Sequence, residues 1–207
     1  MRKIVALIGL CCTLSYAQPT AFKEGDLIFQ NLKCGPLCDA INEVTYGYEG
    51  LNFNHIGMVI EHEGLLQVIE ATSPAVCITP MDQFLNKTTE PAYLGRLISK
   101  YEKLIPQAKA FALEQLGVPY DENYLYANGK YYCSELLYDA FKSANKNKEF
   151  FKLYPMTYRS KYTGEYFPVW EQYFEKLDQI IPEGAPGCNP ASMSWSKNIT
   201  IVGPIVQ

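Results

Sequence analysis

Tyr131-Tyr132-Cys133-Ser134-Glu135-Leu136-Leu137-Tyr138-Asp139-Ala140-Phe141 is the stretch of the chain that joins a structural signal to a chemical one. Leu136, Leu137, Ala140, Phe141 and Ala144 recur at helical spacing after an Asn128-Gly129 turn signal. The spacing predicts an amphipathic helix with Cys133 at or just before its first turn. Free N–H groups and the positive dipole end at that position favour a thiolate over a thiol. A cysteine so placed needs only a base to become a nucleophile. The competing reading is packing, because cysteine buries readily and Cys133 shares its helical stripe with Leu136, Leu137 and Ala140.

The chain has 207 residues, of which 48% are hydrophobic, enough for one domain with a real core. Arg2 and Lys3, the apolar run from Ile4 to Leu14, and Ser15-Tyr16-Ala17 before Gln18 read as a secretory signal peptide over residues 1–17. Lipidation at Cys11 or Cys12 is the lesser alternative, because Leu10 and Cys11 are poor residues to precede it. The mature chain, 18–207, shows no repeat and no linker, so a single exported domain, periplasmic or extracellular, is expected. The formal charge is −4 and no basic run occurs, which argues against a nucleic-acid partner. No later segment is long and apolar enough to span a bilayer.

Five cysteines follow the signal: Cys34, Cys38, Cys77, Cys133 and Cys188. Four could pair in three ways, leaving one thiol free; alternatively, several are reduced and buried. Cys34 and Cys38 flank a tight turn and can bridge only if it closes far enough. With no C-x-x-C pair and two histidines, no structural zinc is expected, and no cofactor. Oligomeric state cannot be read from the sequence.

Asn54-His55-Ile56-Gly57-Met58-Val59-Ile60-Glu61 and Leu65-Leu66-Gln67-Val68-Ile69-Glu70-Ala71, joined through His62-Glu63-Gly64, read as a β-hairpin. With Glu63-Gly64 as a two-residue turn, Gly57 opposes Glu70, and His55 and Glu70 become diagonal neighbours on one face. A three-residue turn puts Glu70 on the other face. Both registers stay open at this point. The first supplies a base with a carboxylate to orient it, and explains a glutamate in an apolar strand that would be costly unpaired. Elsewhere, a strand opens after Gly25-Asp26, and Asp26 is either a turn cap or a carboxylate facing a pocket. Further strands are expected at Val76–Pro80, Tyr93–Ile98 and Ile199–Val202, and helices after Met81, Pro106 and Pro168, with loop from Pro182 to Pro190. The tyrosine-rich approach to Cys133, with Tyr120 and Tyr132, can line a cleft or pack.

Gly25-Asp26-Leu27, Asn54-His55-Ile56-Gly57-Met58-Val59-Ile60, Val68-Ile69-Glu70-Ala71, Gly117-Val118-Pro119-Tyr120-Asp121, Tyr132-Cys133-Ser134-Glu135-Leu136 and Pro186-Gly187-Cys188-Asn189-Pro190, in this order, resemble the YiiX/YebB-type permuted papain-like hydrolases, relatives of NlpC-type peptidases. The resemblance implies an α+β fold, with an antiparallel sheet or partial barrel packed against helices that include the cysteine helix. It implies Cys133 as nucleophile, His55 as base and Glu70 as the residue orienting His55, with the two-residue turn. Asp26, Tyr120 and Tyr132 are the expected substrate-binding residues. The leading expectation is an amidase or peptidase acting on peptidoglycan-type or other small peptides. Lipid acyl hydrolysis or transfer, favoured by an apolar groove beside Cys133, and a non-catalytic binding module with a buried or disulfide-bonded Cys133 are the alternatives.

Overall fold

The structure, a computed structural model, describes residues 21–205; the signal-peptide expectation lies outside them. In chain order the elements are β1 (Leu27–Gln30), α1 (Pro36–Val44), β2 (His55–His62), β3 (Leu65–Thr72), β4 (Ala75–Pro80), α2 (Met81–Leu85), β5 (Tyr93–Leu97), α3 (Ile105–Glu114), α4 (Cys133–Ala144), β6 (Tyr154–Pro155), α5 (Pro168–Lys176), β7 (Pro186–Gly187), α6 (Pro190–Ser194) and β8 (Ile199–Pro204). Six strands form one antiparallel sheet in the order β4-β3-β2-β1-β5-β8. The fold is α+β, as expected.

The hairpin adopts the two-residue turn. His62 pairs with Leu65 and Met58 with Ile69, and Glu63 and Gly64 both have positive φ, 52° and 78°. Two successive left-handed residues match the right-handed twist of the flanking strands, and glycine takes the second position without steric cost. Alternation along β2 then divides its side chains. Ile56, Met58 and Ile60 enter the main core with Leu136, Leu137, Ala140 and Phe141 of α4. Val59 enters a smaller cluster on the other side with Val68 and Phe84. A Cβ at Gly57 would collide with Val68 and Phe84, so the glycine is required by the close approach of α2.

On α3, Ala108 and Ala112 face inward, and Leu116 is exposed beyond the end of the helix at Glu114. The segment read as loop from Pro182 to Pro190 carries the short β7 and leads into α6. A reciprocal capping box starts that helix: Asn189 accepts from the Ser192 N–H at 2.7 Å. Trp170 and Phe174 of α5 pack with Tyr158 and Ala40 of α1 in a third cluster. Cys34 and Cys38 are disulfide-bonded, while Cys77, Cys133 and Cys188 are free.

Candidate active site

Cys133 is the first residue of α4, with Tyr132 in extended conformation as the N-cap. The first-turn N–H groups of such a helix have no intrahelical acceptor, so they point at whatever approaches the sulfur. His55 is the first residue of β2 and shares with Glu70 the sheet face opposite α4, yet Cys133 Sγ lies 3.9 Å from the Asn54 carbonyl oxygen that immediately precedes it. Helix and histidine therefore meet around the end of β2 rather than across its face. The Cys133 sulfur is near enough to the His55 imidazole to favour its protonated form.

Glu70 completes the line. His55 Nε2 contacts Glu70 Oε2 at 2.6 Å, leaving Nδ1 as the ring nitrogen for the sulfur. Phe84 packs against the imidazole with 5.6 Å between ring centroids and fixes its plane. The Glu70 carboxylate is fully buried and also accepts from Thr79 Oγ1 at 2.5 Å and from Lys87 Nζ, which bridges both oxygens at 2.6 Å. Burial opposes charge on both partners. Against it, His55 and Lys87 together hold Glu70 down to about 2, and the sulfur and Glu70 together raise His55 to about 9. At neutral pH the site thus presents an imidazolium to the sulfur, which stabilises negative charge there and carries a proton ready to donate.

Glu135, in the first turn of α4, is fully buried and takes the Ala127 N–H at 2.8 Å. Burial, helped by Asp121 and Asp139 nearby, raises its carboxyl to about 8. It therefore places no full negative charge next to Cys133 at neutral pH. Cys188, the other buried free thiol near the site, is pushed up by burial, and its backbone N–H donates to the Tyr132 hydroxyl at 3.1 Å. The two cysteines differ in kind: only Cys133 has a histidine.

A cavity of about 480 Å³ opens beside the Cys133 sulfur, bounded by α1, the residues before α4, the segment 154–158 and the start of α6. Tyr120 and Tyr132 line it as expected, although the Tyr132 hydroxyl is engaged with Cys188. Asp26 does not. Its carboxylate is buried in a two-pronged pair with Arg96, at 2.7 Å to both Nε and Nη2, and accepts the Lys23 N–H. The expectation of a substrate-binding Asp26 is corrected accordingly: it ties β1 to β5. Lys87 and Thr79 were missed. Lys87 is the first basic residue after Glu70 in the chain, a usable signal given that a strand carboxylate needs a counter-charge.

Among the described residues no three His, Cys, Asp or Glu side chains are grouped to hold a metal ion. Lys87 already bridges both Glu70 oxygens, so the residues present do not fit a metal at that carboxylate.

Comparison with known proteins bears on family and fold. The uncharacterized protein YiiX of Escherichia coli K12 is 28% identical over 128 residues, which are 59% of this chain. The match spans only 58% of YiiX itself. The crystal structure described as metalloprotein YiiX from Escherichia coli O157:H7 superposes with a TM-score of 0.71 at 20% identity, covering 88% of this chain and 97% of that one, a likeness of fold. Residues 21–203 match the profile of the permuted papain-like amidase enzymes, and the chain belongs to that family, YaeF/YiiX, C92.

Proposed function

We propose that the protein is a thiol hydrolase that cleaves an amide, or the corresponding ester, with Cys133 as nucleophile, His55 as proton carrier and Glu70 as the group orienting His55. The observation that carries the reading is that the Cys133 sulfur, at the start of α4, meets the end of β2 where His55 is held by Glu70 at 2.6 Å. The sulfur attacks the carbonyl carbon, and α4 N–H groups hold the oxygen as charge develops on it. The C–N bond then breaks as His55 gives its proton to the departing nitrogen, leaving a thioester. Water, losing its proton to His55, adds to the thioester; the C–S bond breaks and the acid is released. Family membership favours an amide, and a small peptide or amine is the proposed leaving group. Export to the periplasm or exterior is part of the proposal, supported by the leader-like residues 1–17 and by the Cys34–Cys38 disulfide.

The test is iodoacetamide labelling of the native protein against pH, with modified cysteines located by mass spectrometry. Expected is selective labelling of native Cys133, with Cys188 unmodified and a drop of at least roughly tenfold in His55→Ala. Cys133 unreactive until denaturation would reject the proposal and leave the binding-module reading, and amide hydrolysis that survives Cys133→Ala would reject Cys133 as the nucleophile.

A further inference from the structure

Lys87 joins the His55–Glu70 pair without taking part in any reaction step. Its Nζ bridges both Glu70 oxygens at 2.6 Å, and one of those oxygens, Oε2, also contacts His55 Nε2 at 2.6 Å. The ammonium and the imidazole are therefore separated by no more than two such contacts laid end to end. Phe84 closes the figure. Lys87 Nζ lies 5.3 Å from its ring centroid, and the imidazole packs against the same ring at 5.6 Å between centroids. A cation is attracted to the face of an aromatic ring, so Lys87 is bound to both of the groups against which the imidazole is set.

The turn that carries Lys87 is itself pinned. Gln30 Nε2 donates to the Phe84 carbonyl at 2.9 Å, and the Lys87 N–H donates to the same carbonyl at 3.2 Å. Thr88 Oγ1 donates to the Asn31 carbonyl at 2.8 Å. Lys87 is thus fixed from the end of β1, and only one-quarter of its side chain is exposed.

Charge decides what this does. The proposed reaction needs His55 in two states: protonated as the nitrogen departs, and unprotonated as water adds to the thioester and passes its proton to the ring. Glu70 alone favours the first, because a buried carboxylate stabilises an imidazolium. In the thioester the sulfur carries no charge, so the balance is left to Glu70 and Lys87. The ammonium draws on the same carboxylate and repels the imidazolium, so the ring releases its proton more readily. The other groups facing the pair are the Cys133 sulfur from α4, Cys77 and Thr79 of β4, and Gln30 of β1, which lies opposite His55 in the sheet. None of these is a cation.

We propose that Lys87 is a positioning residue for His55: through Glu70 and Phe84 it fixes the imidazole and keeps it able to release its proton, so that the thioester turns over. Its part in turnover rests on the thiol-hydrolase reading above.

NMR titration of the His55 ring protons tests this in Cys133→Ala protein, where the sulfur's charge is absent as it is in the thioester. His62, in the hairpin turn, is the internal reference. Two unit charges ~5 Å apart at an effective dielectric of ~20 displace a titration by roughly two pH units, which partial exposure of Lys87 reduces to at least about one. Lys87→Met, and Lys87→Gln, which keeps hydrogen-bond donors without the charge, should each raise the His55 midpoint by at least about one pH unit. His62 should not move. Lys87→Arg, which restores the charge, should bring His55 back towards its starting midpoint. A His55 midpoint that stays or falls in the uncharged variants, or that remains fully raised in Lys87→Arg, overturns the proposal. The titration is read without Cys133, so it succeeds or fails apart from the hydrolase reading, which iodoacetamide labelling of native Cys133 decides.

Discussion

Glu70→Gln changes one buried atom and removes one charge, which makes it the sharpest probe of how His55 is held. The amide keeps the size of the side chain and can still accept one hydrogen bond. It cannot balance the imidazolium and the Lys87 ammonium that now share the carboxylate at 2.6 Å each. Glu70 sits at about 2 against an ordinary 4.5, so the folded protein favours its charged form by about 3 kcal/mol, an order-of-magnitude figure. Part of that is recovered by relaxation of Lys87, whose side chain is one-quarter exposed, leaving an expected loss of about 2–3 kcal/mol at pH 7. The sign is fixed by the depressed value. The contribution is present above the unfolded carboxyl range and is lost as pH falls from 4.5 towards 2. Urea unfolding should therefore show a lower midpoint for Glu70→Gln at pH 7, and a gap that closes as pH approaches 2. His55, raised to about 9 by the sulfur and Glu70 together, should titrate at least about one unit lower in the variant, followed by NMR of its ring protons. Equal urea midpoints at pH 7, or an unmoved His55 titration, would refute the reasoning that Glu70 orients and charges the histidine.

Glu135 predicts the opposite pH dependence. Its carboxyl is raised to about 8, so the folded state keeps a proton that the unfolded chain releases near 4.5, and stability falls as pH rises through that window by up to about 5 kcal/mol. Glu135→Gln should flatten the decline in urea-unfolding free energy between pH 4.5 and 8; a decline identical to wild type would count against a buried neutral carboxyl. Asp26→Asn should cost about 2–3 kcal/mol through the Arg96 pair while leaving the rate of iodoacetamide labelling at Cys133 unchanged. A labelling rate that falls with stability intact would restore Asp26 to the site.

Local patterns carried much of the architecture. The helix bearing Cys133, the hairpin and most strands follow from spacing and turn residues, because those signals act over a few positions. The hairpin register did not follow from pattern alone. Glu63 gives no indication that it will adopt a left-handed conformation, and only the neighbouring glycine favours the two-residue turn. Asp26 was misassigned because its partner, Arg96, lies 70 positions away, and nothing local distinguishes a carboxylate awaiting an arginine from one awaiting a substrate. Lys87 reaches Glu70 only because α2 folds back over the hairpin. The short α6 has too few residues for a periodic pattern, although Asn189 and Ser192 carry its capping signal. The chemical character of the cavity was the least legible feature, since its wall gathers residues from both ends of the described chain.

The meeting of α4 with the end of β2 also sets an order in time. Asn54 and Cys133 are 79 positions apart, so the contact that brings the sulfur to the end of β2 is long-range and costly to form early in folding. During synthesis the hairpin with His55 and Glu70 emerges first, and the cysteine follows as an ordinary thiol. The site as proposed is assembled only when α4 docks at the end of β2. Any opening that lifts α4 from the sheet separates Cys133 from His55 before the hairpin itself comes apart.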